Sequence, residues 1–197
     1  MAADDAGNDL ESVGIPVTGF VAFAPYGTAL PTATEGKQTG SGYKWTGGKK
    51  LGLLTEDGGP EWSFEADGDA QGFWQEGYEI PSGQASVTCK IKLAQTDPNV
   101  MEFIRGSSYD ENSHMLVDGA GNSKRYAVLI EEVFKNGTIR RRAGGAVTIS
   151  EVAEDKSERG SVLGYEVTLK FATDKAHEGH HFAEWLLPLG KEIGPKA

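Results

Sequence analysis

Cysteine is almost absent from this sequence, and so are long hydrophobic runs and an excess of basic residues. The 197 residues contain one cysteine, Cys89, which excludes an internal disulfide and a zinc site built from several cysteines. No run approaches the roughly 18 consecutive apolar residues of a membrane anchor, and the acidic first ten residues lack the apolar segment of a secretory leader. Lys and Arg number 19 against 29 Asp and Glu, a net charge of −10, which excludes a uniformly basic nucleic-acid clamp.

What is present is glycine and short alternating apolar patterns, which predict a mainly β protein. The chain holds 27 glycines, and its length favours one domain at about 150 residues per domain. Residues 85–93 alternate apolar and polar side chains, as in a strand with one buried face, and Cys89 falls on the apolar face as a core residue. We expect a β-sandwich or barrel of two packed sheets with about seven to nine strands. The other main predicted strands are Val17–Phe23, Tyr126–Phe134, Thr138–Val152, Val162–Phe171 and Phe182–Leu187.

One short helix, one long loop and two terminal arms complete the predicted architecture. Asp97 offers a helix N-cap ahead of Pro98, and Gly106 ends the flanking helix, which is short enough to need docking on a sheet. Residues 32–50 are glycine-rich and predict a long surface loop. We expect a flexible N-terminal arm at residues 1–14, one β domain at residues 15–190 and a C-terminal tail at residues 191–197.

One motif suggests metal chemistry. His177-Glu178-Gly179-His180-His181 matches H-E-x-x-H, the spacing that places two imidazoles on one helix face in zinc peptidases. The glycine inside the motif and the strands predicted on either side favour a polar hairpin loop instead. No catalytic triad or carboxylate pair stands out, so we predict no enzyme, catalytic residue, metal or cofactor, and a zinc-dependent hydrolase remains the less favoured alternative.

A dense basic run occurs at Arg140, Arg141 and Arg142. In a strand, Arg140 and Arg142 point to one face and Arg141 to the other. Two interpretations stay open: a solvated strand end, and pairing with an acidic surface on another copy of the chain. Nucleic-acid binding by this run alone is weakly supported, because no aromatic stacking platform accompanies it.

The N-terminal half carries a resemblance to a known family. Its residues are VAFAPYGTALPT at 21–32, then Trp45, LGLLTEDG at 51–58 and FWQEG at 73–77. This combination resembles the major tail protein family of long-tailed bacteriophages, and the similarity extends over roughly residues 17–188. Within these motifs and the arginine run, the candidate contacts between subunits are Thr28, Leu30, Pro31, Trp45, Leu51, Asp57, Trp74, Arg140, Arg141 and Arg142.

The resemblance implies a structural virion protein. Members of that family form a β-sandwich with a flanking helix and assemble as hexameric rings, which stack into a tail tube through which DNA passes. The implied partners are other copies of the chain, the tape-measure protein and other tail proteins, with assembly in the host cytoplasm and no specific DNA binding. Alternatives are a tail terminator, a bacterial secretion-tube subunit or, from the residues alone, a small-ligand β-barrel. The chain is too short for an added C-terminal decoration domain.

The acidic charge fits a conduit for DNA. DNA carries about one negative charge per 1.7 Å of axis, so a basic wall would bind it, and we expect an acidic or neutral lumen. The first two thirds of the chain carry net charges of −5 and −6, and the last third carries +1. Such a split can supply complementary faces between copies.

Overall fold

The computed structural model describes residues 5–39, 43–65, 70–81, 85–119 and 121–188. Within these ranges the chain forms ten strands and two α-helices. They are β1 (Pro16–Pro25), α1 (Ala33–Gly36), β2 (Lys49–Lys50), β3 (Glu61–Glu65), β4 (Ala70–Gly72), β5 (Glu79–Pro81), β6 (Ser86–Leu93), α2 (Pro98–Arg105), β7 (Arg125–Phe134), β8 (Ile139–Glu154), β9 (Tyr165–Phe171) and β10 (Ala183–Leu187).

Eight of these strands belong to one antiparallel sheet. Its order is β2-β1-β7-β8-β9-β6-β3, and β10 pairs with the first part of β8. β4 and β5 pair with each other as a separate hairpin. The mainly β class with a flanking helix is confirmed. The described strands differ from the expectation of two packed sheets, because β8 spans 16 residues and joins β7 and β10 to β9 in a single sheet.

The sheet curves until its two ends approach each other. Residues 51–58 connect these ends: the Leu51 amide donates to the Val21 carbonyl of β1 (2.9 Å), and the Thr55 amide donates to the Lys92 carbonyl of β6 (3.0 Å). Apolar side chains from β1 and β6 accordingly lie in the same hydrophobic cluster. One curved sheet thus encloses the core.

The core contains the side chains that the alternation assigned to it. Cys89 is fully buried, and burial raises the pKa of its thiol, so the thiol stays protonated and unreactive. Its prediction as a core residue is confirmed. Packed with it are Val21, Phe23, Leu51, Val87, Ile91, Leu93, Tyr126, Val128, Ile130, Val147, Tyr165, Val167, Leu169 and Phe171.

Helix α2 closes one side of this core, as predicted. The Asp97 carboxylate accepts hydrogen bonds from the amides of Asn99 (2.8 Å) and Val100 (3.1 Å), and Gly106 ends the helix with a φ of 76°. Phe103 on the buried face packs 4.8 Å from the Phe23 ring, centroid to centroid. Docking on the sheet therefore stabilises a helix too short to persist alone.

The terminal arms fall partly within the described residues. A short 3-10 turn covers Leu10–Ser12, and the Lys135 amide donates to the Ile15 carbonyl (2.7 Å), so the chain before β1 runs beside the β7–β8 turn. The predicted tail at residues 191–197 lies outside the described residues. The domain boundaries at residues 14 and 190 and the flexibility of the arm stay predictions.

The docking of α2 leads to a stability prediction. Phe103→Ala removes a fully buried ring and should lower the free energy of unfolding by about 3–5 kcal/mol. The same substitution at Phe73, which is 57% exposed, should change it by less than about 1 kcal/mol. Urea unfolding followed by tryptophan fluorescence measures both, and equal losses would contradict this assignment of the core.

Candidate functional site

The three consecutive arginines are all paired inside the chain. Arg140 makes a two-pronged ion pair with Glu132, with contacts of 2.9 and 3.0 Å. Arg142 pairs with Glu184 and lies over the Trp62 ring. Each carboxylate stands directly across from its arginine on the neighbouring strand, the arrangement in which opposite charges stabilise a sheet.

Arg141 is the most deeply buried member of the run, with only 1% of its surface exposed. Its Nε donates to Glu131 (2.5 Å), and its Nη1 donates to the carbonyls of Gly36 (2.7 Å) and Gln38 (2.5 Å). The guanidinium also lies 3.6 Å from the centroid of the Tyr43 ring. We call these five residues the Arg141 cluster. Such a buried ion is tolerated because its charge is paired and its donors are satisfied.

The Arg141 cluster fixes part of the predicted long loop to the sheet. α1 begins with a capping box in which Thr32 and Glu35 bond reciprocally, and these hydrogen bonds lower the pKa of the Glu35 carboxyl. Gly36 lies so close to the Trp185 indole that a Cβ there would sit 2.2 Å from a ring atom. The indole Nε1 donates to the Ala33 carbonyl (3.2 Å). Residues 32–38 therefore form a folded layer over β8 and β10.

The resemblance-based candidates separate into interior and surface residues. Leu51, Arg141 and Arg142 are buried and Arg140 is half-buried, so the first three offer little surface to another subunit in this structure. Trp45 donates through Nε1 to the Ala29 carbonyl (2.8 Å), which ties its loop to the stretch after β1. Asp57 is exposed and accepts from the Thr55 hydroxyl, which lowers the pKa of Asp57. The remaining surface candidates are the half-buried Thr28, Leu30 and Pro31 and the exposed Trp74, and their contacts with other subunits stay predictions.

An open strand edge lies at the start of β1. β2 pairs with β1 only at Ala22 and Phe23, and among the described residues no strand pairs with the same side of residues 17–20. The Val21 carbonyl points to this side, so the backbone N–H and C=O of Gly19, two residues away, do as well. We call residues 17–20 the open edge, and its unpaired groups are a template for another strand.

A groove borders the open edge. It has a volume of about 490 Å³ and lies between β1 and residues 52–60. Val17 and Leu53, on its two walls, are 59% and 71% exposed. Exposed apolar side chains beside unpaired backbone groups are typical of a surface that another chain covers. The sequence interpretation missed this site, although the apolar Val13, Ile15 and Val17 at every second position were its signal.

Positive and negative side chains are grouped in two adjacent segments of the sequence, which the net charges of the three thirds of the chain do not reveal. Residues 37–50, the lysine segment, contain four lysines and no acidic residue. Residues 51–89, the acidic segment, contain eight Asp and Glu and no Lys or Arg. The acidic segment thus holds most of the chain's net charge of −10 and includes the separate β4–β5 hairpin.

The histidine motif does not form the helix that a zinc peptidase requires. His177 ends a short 3-10 turn, and Glu178 and Gly179 follow with φ angles of 54° and 86°. Burial lowers the pKa of His177. Within the described ranges, no group of three or more His, Cys, Asp or Glu could hold a metal ion. The motif is therefore a tight loop, as the sequence favoured. Its two outer histidines do not lie on one face of a helix, which is the arrangement that a zinc peptidase uses.

Comparison with known proteins identifies the family. The model of the family described as phage tail tube protein matches residues 5–189, almost the whole chain. A search of curated proteins found no match. In the part of the chain that the structure describes, no helix is long and apolar enough to cross a membrane.

The Arg141 cluster predicts a large effect from one substitution. Arg141→Met leaves Glu131 without its cation and two carbonyls without a donor, so the free energy of unfolding should fall by about 3–5 kcal/mol. Native-state trypsin cleavage at Lys37 and Lys44 should also accelerate, because the layer over the sheet loses its anchor.

The control is Arg125→Met, which removes an exposed arginine lying over Tyr26 and should change stability by about 0.5 kcal/mol or less. Adding Glu131→Met to Arg141→Met should recover part of the loss, since no charge is then left unpaired. Equal stability of Arg141→Met and Arg125→Met would show that the buried cation is not an anchor.

Proposed function

Since this chain belongs to the phage tail tube protein family, we propose that it is the repeating subunit of a tail tube. In this proposal copies join side by side into rings of six, the number that the resemblance implies, and the rings stack into a conduit for DNA. The open edge of β1 is the observation that supports self-assembly most directly. Membership of a structural family makes the chain a virion component and points away from an enzyme.

Ring formation requires two different surfaces on each copy. A head-to-tail contact joins one surface of a subunit to another surface of the next, and it closes into a ring when the rotation fits. The open edge can supply one of these surfaces. β3 can supply the other, because it pairs only with β6 among the described residues and ends the sheet opposite β1. Edge-to-edge pairing would then extend the sheet from one copy into the next.

The net charge supports a conduit rather than a DNA-binding site. A protein that binds DNA tightly neutralises phosphates with Lys and Arg, whereas this chain carries a net charge of −10. The arginine run is also engaged by carboxylates of its own chain. We propose that DNA passes without specific binding, and that the tape-measure protein and other tail proteins join the tube during assembly in the host cytoplasm.

Electron microscopy of the purified protein tests the proposal. Rings, stacked rings or tubes are expected at high protein concentration, alone or with the tail-tip and tape-measure proteins of the same phage. Monomers under all of these conditions would contradict the proposed function. Rings that never stack would instead favour a tail terminator.

The open edge predicts a separable effect on assembly. Val17→Lys places a charge on the edge, which natural sheets use to block pairing between chains, so the assembled fraction should fall at least tenfold while the fold of the free subunit is retained. Val162→Lys is the matched control, since Val162 is 68% exposed and lies outside the groove. Sedimentation measures assembly, and circular dichroism measures the fold. Normal assembly of Val17→Lys would exclude the open edge as an interface.

A further inference from the structure

We propose that the β4–β5 hairpin of one copy docks on the lysine-bearing end of β1 in a second copy. By the lysine-bearing end we mean Tyr26 at the end of β1 together with the neighbouring Lys49, Lys50 and Arg125. This inference rests on the proposed function and adds a contact distinct from the open edge. It identifies the residues of both surfaces, which the family assignment does not. The chain separates its positive and negative charges into two segments, and the acidic segment exposes large aromatic side chains.

The hairpin presents an aromatic and acidic surface. The Phe73 amide donates to the Tyr78 carbonyl (2.9 Å), which closes the loop at the end of the hairpin. Trp74 in this loop is 97% exposed, and Tyr78 is 69% exposed. Glu76 is exposed in the same loop. Trp and Tyr are the side chains that most often dominate binding energy in interfaces, and an indole with nearly its whole surface in water is otherwise unfavourable.

The receiving surface lies at the end of β1 that leads to α1. Lys49 and Lys50 form β2 and pair with Phe23 and Ala22, and Arg125 lies over the Tyr26 ring next to the end of β1. Tyr26 is itself 52% exposed. Cationic side chains beside an exposed aromatic ring can hold both a carboxylate and an indole, the latter through cation–π contacts.

Two of the three cations of this surface, Lys50 and Arg125, form no ion pair among the residues that the structure describes. Lys49 pairs with Glu102 (2.8 Å). Lys50 lies over the Phe20 ring (4.5 Å). Among the residues that the structure describes, no ion pair joins the lysine segment to a carboxylate of the acidic segment. The two oppositely charged surfaces are therefore available to different copies.

Complementary charge on two different surfaces favours a head-to-tail contact. A copy that offers its hairpin to one neighbour still has its lysine-bearing end free for another, so the contact can repeat without limit. Two equivalent hairpins facing each other would bring like charges together, which disfavours a symmetric dimer. The chemistry thus selects a second copy of this chain, in head-to-tail order, as the partner.

Disulfide trapping tests the contact. Cys89 is buried, so cysteines introduced on the surface are the reactive ones. One chain carries Gln75→Cys, next to Trp74, and a second chain carries Thr46→Cys, in the exposed loop between Lys44 and Lys49. The two chains are mixed, allowed to assemble and then oxidised. The expected result is a disulfide-linked dimer at least ten times more abundant than with Val162→Cys in place of Thr46→Cys. Assembled protein in which the two pairs cross-link equally would overturn the proposal.

A charge exchange tests the energetics. Glu76→Lys and Lys50→Glu should each raise the concentration needed for assembly at least tenfold, and the chain carrying both should recover most of that loss because the pair is restored with reversed sign. A doubly substituted chain no better than the worse single variant would contradict the contact. If the parent assembles and Val17→Lys abolishes assembly while Glu76→Lys and Lys50→Glu both assemble normally, this inference fails and the proposed function stands. If the parent never assembles, both fail.

Discussion

The buried guanidinium of Arg141 is the interaction that holds the segment after α1 against the sheet. It draws a carboxylate from β7 and two carbonyls from the segment after α1 onto one face of the sheet. The alternative, an unpaired charge out of water, is costly enough to make this arrangement compulsory. The layer of α1 covers part of β8 and β10, whereas Val17 at the start of β1 and Trp74 of the β4–β5 hairpin are exposed.

Local sequence patterns predicted much of the fold. They also contained information on one cross-strand ion pair, between Glu131 and Arg141, that the sequence interpretation did not use. The strands, the Asn136–Gly137 turn and the capped helix α2 follow from alternation, turn chemistry and capping. Glu131 and Arg141 each lie five residues from Asn136, so their cross-strand pairing follows from a three-residue loop centred on that asparagine. The contacts of Arg141 with Gly36 and Gln38 were not, because more than one hundred residues separate them and only the packed fold brings them together.

The candidate site was predicted less well than the fold. Residues 17–23 form an apolar run that indicates a strand, but no local pattern shows that β2 covers only two of its positions. Leu51 was predicted as a candidate contact between subunits, and its side chain is fully buried in the core of the free chain. The charge blocks were visible in the sequence. Division into equal thirds placed the boundary inside the acidic segment and concealed them.

The central claim is that assembly covers the open edge of β1 without rearranging the fold behind it. Hydrogen–deuterium exchange of the free subunit and of assembled tubes tests this directly. The account predicts that within residues 17–20 the Gly19 amide, which points to the open side, exchanges rapidly in the free subunit and at least ten times more slowly in tubes. Residues 128–130 of β7, paired on both sides, should exchange slowly in both states. Equal rates for the Gly19 amide in the two states would contradict the account.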